Sequence, residues 1–95
     1  IALISLGTLY NETGNLISAE NTLKQCIQLS TEQNDTLLLI NSYGNISNTY
    51  QIKGDFNKAI KYMNTTIELL KSSNNQHGLA IAYGMLGNLY LRIKN

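Results

Sequence analysis

Ninety-five residues, 43% of them apolar, suffice for one small domain with its own core. Seven basic against six acidic residues give a net charge of +1 and no basic stripe, so nucleic acid is not an expected partner. One cysteine, Cys26, and one histidine, His77, exclude a disulfide framework and a cysteine-based zinc site, and no apolar run is long enough to span a membrane.

Apolar residues recur at spacings of three and four along the whole chain, which predicts helices throughout and no strand. The first helix covers roughly 1–13 and stops at Gly14. Asn15 then stands as an N-cap for a second helix over about 15–32. Polar cap-forming residues cluster at Gln33-Asn34-Asp35, and a third helix follows over about 35–53, with Tyr43, Ile46 and Tyr50 on one side. Gly54-Asp55 repeats the Gly-cap signal. The fourth helix, about 55–72, carries Phe56, Ala59, Ile60, Met63 and Ile67. Another polar cluster, Ser73-Asn74-Asn75-Gln76, introduces a fifth helix over about 76–94. There is no proline to break any of these runs.

The elements repeat with a period of 40. Tyr10, Tyr50 and Tyr90 fall at that spacing, as do Gly7, Ser47 and Gly87, Gly14 and Gly54, and Ala19 and Ala59. Ile1, Ala2, Leu6, Gly7, Leu9 and Tyr10 reappear at twice the spacing as Ile81, Ala82, Leu86, Gly87, Leu89 and Tyr90. Such self-similarity marks a stack of supersecondary units. The units are about 1–34, 35–74 and 75–95, the last incomplete. With a start at Ile-Ala-Leu-Ile, the chain reads as a single domain that is part of a longer protein. No signal segment is visible, and the expected compartment is the cytoplasm.

Tyr83-x-x-Leu86-Gly87-x-x-Tyr90 resembles the first-helix pattern of tetratricopeptide repeats. Leu3-x-x-Leu6-Gly7-x-x-Tyr10 followed by Ala19-x-x-x-Leu23 is similar, as is Tyr43-x-x-Ile46-Ser47-x-x-Tyr50 followed by Ala59-x-x-x-Met63. The family's usual period is about 34. Units of 40 residues look like those of Leu-Gly-Asn-repeat adaptors, kinesin light chains and bacterial peptide-sensing regulators, and Leu86-Gly87-Asn88 is a literal Leu-Gly-Asn. The resemblance implies an all-α fold, a right-handed solenoid of antiparallel helix hairpins with five helices. Small residues at Gly7, Ser47, Gly87, Ala19 and Ala59 would let paired helices approach closely.

The resemblance also implies a concave groove lined by first helices. By position this points to Ser5, Thr8, Asn11 and Glu12, then Asn41, Gly44, Asn45, Asn48 and Gln51. The third unit adds Ile81, Gly84, Met85, Asn88, Leu91 and Arg92, and Ile52 would supply apolar contact. The sequence itself places Asn41, Asn45 and Asn48 on one helix face. An amide that both donates and accepts suits clamping a peptide backbone, yet the same stripe suits the ordinary polar face of an asparagine-rich chain. Gly44 and Gly84 read more simply as packing glycines than as ligand contacts. Because Ile4, Gly44 and Gly84 stand where the family's carboxylate-clamp members place lysine, that clamp is not expected; Arg92 is the cation best placed for an acidic group.

No enzyme signature emerges, and neither metal nor cofactor is expected. Cys26 reads as a buried, inert thiol, His77 as a surface residue, and Asp35 and Asp55 as N-caps. Glu20 breaks the repeat, since its counterpart is Ile60, and Lys24, four residues on, offers it a salt-bridge partner. The expected function is a protein-interaction module that binds a protein or peptide ligand. Alternatives are a sensor segment of a larger bacterial signalling protein and a structural spacer. The apolar fifth helix predicts self-association, most simply as a two-fold dimer.

Overall fold

A computed structural model describes residues 2–94. Five helices are present among them: α1 (Leu3–Thr13), α2 (Leu16–Glu32), α3 (Thr36–Lys53), α4 (Phe56–Ser72) and α5 (Gln76–Lys94). Their boundaries lie within one or two residues of the predicted ones, because each turn is written in local chemistry. Gly14 and Gly54 sit at φ 80° and 84°, the left-handed conformation that glycine adopts without a Cβ penalty. Asn34 and Asn74 take the same role at φ 54° and 60°, as asparagine can. At Gly14 the amide of Asn15 donates to Tyr10 O at 2.9 Å and that of Gly14 to Asn11 O at 3.3 Å. Equivalent pairs close the other three turns, so the otherwise orphaned carbonyls at each helix end are satisfied.

The residue after each left-handed position begins the next helix. Asp35 accepts from the Leu38 amide at 3.1 Å, Asp55 from Lys58 at 3.2 Å, and Asn75 from Gly78 at 2.8 Å. Asn15 occupies the same position, but its side chain makes no capping bond. Left-handed residue and cap therefore recur every 20 residues, at half the sequence period, because both turns of a unit use one geometry.

Each helix packs on the next, and α1 also packs on α3. Two layers result, α1, α3 and α5 in one and α2 and α4 in the other, in a slab of 38 × 33 × 17 Å. Leu23, Ile46, Tyr50, Ala59, Met63, Ile67, Leu70 and Leu89 form the buried seam between the layers. Close approach within a hairpin depends on small residues, as the repeat implies. A Cβ at Gly7 would lie 2.6 Å from Leu23, and Ser47 is buried with its hydroxyl donating to Ala59 O at 2.7 Å. Gly87 differs: a Cβ there meets nothing within 4 Å among the described residues.

Tyr50 shows how one hairpin joins another. It is 4% exposed, and its ring stacks on Tyr62 at 5.4 Å. Its hydroxyl donates to Glu20 at 2.7 Å, while Glu20 also pairs with Lys53 at 2.6 Å and Lys24 at 3.0 Å. The expected Glu20–Lys24 bridge is thus one part of a larger cluster that ties α2 to α3. These contacts, with Lys53 foremost, then Tyr50 and Lys24, hold the Glu20 carboxyl down at about 2.

Candidate peptide groove

The two joints between first helices differ in one respect that decides where an opening forms. At the α1–α3 joint the sequence supplies matched polar partners. Asn11, 5% exposed, donates to Asn45 O at 3.2 Å and accepts from the Thr49 hydroxyl at 2.6 Å. Thr8 donates to Ile4 O at 3.0 Å and lies 3.3 Å from Asn45 Oδ1. This network closes α1 onto α3.

One period later the partners change. Asn48 and Gln51 stand where Thr8 and Asn11 stood, but Met85 and Leu89 replace Asn45 and Thr49. The Leu89 side chain cannot donate as the Thr49 hydroxyl does, Met85 has no amide side chain, and Leu89 turns into the core. The α3–α5 joint is consequently open. A groove of about 470 Å³ runs between them, within the range of ligand pockets. Leu37, Ile40, Asn41, Gly44, Asn45 and Asn48 form the α3 wall; Gly78, Ile81, Ala82 and Met85 form the α5 wall; and Met63, Thr66 and Leu70 of α4 make the floor. Asn75 closes one end while capping α5.

A family model described as tetratricopeptide repeat matches residues 1–72 and again residues 38–95. The chain belongs to the tetratricopeptide repeat family. The two overlapping matches reflect the internal repeat, and membership makes the chain a protein-interaction repeat module of a kind that is typically a non-enzymatic scaffold. No curated protein matches the sequence.

The tetratricopeptide fold brings together only some of the residues singled out from sequence. Asn41, Asn45, Asn48 and Met85 share the groove. Within it Asn41 and Asn48 are exposed, and among the described residues their amides form no hydrogen bond. Asn45 is already engaged, donating to Asn41 O at 2.8 Å. Thr8 and Asn11 belong to the closed α1–α3 joint. Ile52 and Asn88 are exposed but lie off the groove lining. Arg92 sits over the Phe56 ring at 5.9 Å, so its charge is directed along α4 rather than into the groove.

The glycine expectation is overturned. A Cβ at Gly44 or Gly84 meets nothing within 4 Å, so neither glycine serves packing among the described residues. Gly78 does, since a Cβ there would lie 2.7 Å from Leu70. Sequence reading missed Leu37, Ile40 and the floor residues Thr66 and Leu70. Met63, Thr66 and Leu70 follow one another at helical spacing on α4, the pattern of ordinary core; they are buried, and they also underlie the groove.

Elsewhere the chemistry is quiet. Cys26 is buried and unpaired, and burial raises its thiol pKa and keeps it protonated. Among the described residues no group of three His, Cys, Asp or Glu is placed to hold a metal ion, and no helix is long and apolar enough to cross a membrane.

Proposed function

We propose that the chain captures a peptide segment of a partner protein in the groove between α3 and α5, acting as an adaptor in the cytoplasm. The observation that carries this reading is the open α3–α5 joint, lined by the Asn41 and Asn48 amides, which have no hydrogen-bond partner among the described residues. A peptide backbone supplies what those amides lack, one donor and one acceptor per residue. Exposed Leu37, Ile81 and Met85 on the walls supply non-directional affinity.

Peptides selected from a random library on the immobilised chain provide the test. The double variant Asn41→Ala with Asn48→Ala should weaken the best binder by roughly 1–3 kcal/mol, with little change in melting temperature. Asn88→Ala, off the groove, should leave binding unchanged. Equal binding by the double variant and the parent would return the stripe to plain solvated surface.

We also propose self-association through the outer face of α5. Tyr83, Tyr90 and Ile93 are exposed there, Tyr90 at 50% where its counterpart Tyr50 is buried. The predicted face is narrower than the sequence suggests, since Leu89 is in the core and Leu79 and Leu86 pack against it. Light scattering on the parent should show a dimer that Tyr83→Asp with Tyr90→Asp disrupts; a strict monomer at high concentration refutes this contact.

A further inference from the structure

We infer that the segment held in this groove is extended and uncharged and sets an apolar side chain over Gly44. The inference deepens the peptide-capture reading and rests on it.

Charge comes first. None of the groove-lining residues is ionisable. No lysine or arginine lines it, and several have contacts elsewhere: Lys24 and Lys53 with Glu20, Lys71 with Glu68, Lys58 with the Tyr50 ring and Arg92 with the Phe56 ring. A charged side chain entering the groove would leave water and find no counter-charge, whereas a neutral one leaves nothing unpaired.

Backbone conformation follows from the asparagines. The interior amides of a helical ligand are already paired with one another and gain nothing from Asn41 or Asn48. An extended segment presents unpaired N–H and C=O groups along its length, and those are the groups an amide side chain satisfies. Asn41 and Asn48 are about 10 Å apart along α3 at the helical rise. That distance corresponds to about three residues of extended chain.

Gly44 supplies the apolar slot. Its counterpart in the first unit, Ile4, packs against the core. At Gly44 the side chain is missing, a Cβ would meet nothing, and Ile40, Met63, Ile81 and Met85 line the same groove. A partner's aliphatic or aromatic side chain completes the packing that Ile4 provides for itself one period earlier.

The test uses two pools of synthetic peptides of about ten residues, blocked at both ends, a length ample for the groove. One pool is built from Ala, Leu, Phe, Ser and Gln; the other carries Asp, Glu, Lys or Arg at alternate positions. Retention on the immobilised 95-residue chain is read by mass spectrometry. The affinity of the best labelled peptide is then measured at ~50 and ~500 mM NaCl, conditions that differ widely in screening. The neutral pool should be retained, and affinity should change less than about threefold with salt. Gly44→Leu should lose about tenfold or more, Gly44→Ala less, and Gly84→Leu, off the groove, nothing, with melting temperatures no lower than the parent's. Dominance of charged peptides, or a salt effect above that limit, overturns the inference while leaving peptide capture intact. Unchanged binding by Gly44→Leu places the peptide elsewhere and overturns it too. Retention from neither pool removes peptide capture itself, and the inference falls with it.

Discussion

Glycine at a helical position has opposite meanings in this chain depending on what faces it. Gly7 touches Leu23, and a Cβ there would force the leucine to move. Gly44 faces open groove. Glycine in a helix interior costs roughly 0.5–1 kcal/mol relative to alanine, and at Gly44 no contact within the described chain offsets it. Gly44→Ala should therefore raise stability by about that amount. Gly7→Ala should lower it by roughly 1–3 kcal/mol through overpacking. Chemical denaturation of the two variants checks the pair; the same sign for both would contradict the packing described. Gly7 was legible from its repeat with Ser47 and Gly87. Gly44 was not, because the repeat with Gly84 shows that a small residue is kept there without showing whether a helix or a void lies opposite.

At the scale of elements, helices and turns were readable because their signals are local. Gly14, Gly54 and the asparagine clusters carry the left-handed conformation, and Asp35 and Asp55 carry the caps. Longer connections were less visible. Glu20 looked like an anomaly opposite Ile60, with Lys24 as a neighbour on the same helix. Tyr50 and Lys53, some thirty residues onward, complete its site once α3 lies on α2. The Glu20 side chain is 20% exposed, and its carboxyl is held at about 2 against an ordinary 4.5. A carboxylate depressed on folding stabilises the native state above its unfolded pKa, and that contribution disappears as pH falls from about 4.5 towards 2. Solvent screening reduces its worth to roughly 1–2 kcal/mol. Glu20→Gln should be less stable than the parent by about that amount at pH 6–7, and the gap should close as the medium is acidified to about pH 2. Denaturation midpoints measured across this range decide it; a gap independent of pH would show that the cluster contributes no ionic term.

The whole molecule is a stack in which equivalent joints have been put to different uses. Matched polar residues close α1 on α3. Their loss at Met85 and Leu89 opens α3 from α5 above a floor formed by α4. A 40-residue period made the stack and its family visible in sequence, and of the asparagines read as one stripe Asn41, Asn45 and Asn48 line the groove while Asn88 does not. The position of the opening was hidden, since it depends on which polar residue lacks a partner across a joint, and Asn11 and Asn48 look alike until the facing helix is in place. Solution NMR of the ¹⁵N-labelled chain, titrated with a peptide retained from the neutral pool, tests the groove most directly. Amide shifts should concentrate at Asn41, Gly44 and Asn48 on α3 and at Ile81 and Met85 on α5, leaving α2 and the Gly14 turn unmoved. Shifts centred on α2, or on the Tyr83–Tyr90 face of α5, would contradict the account.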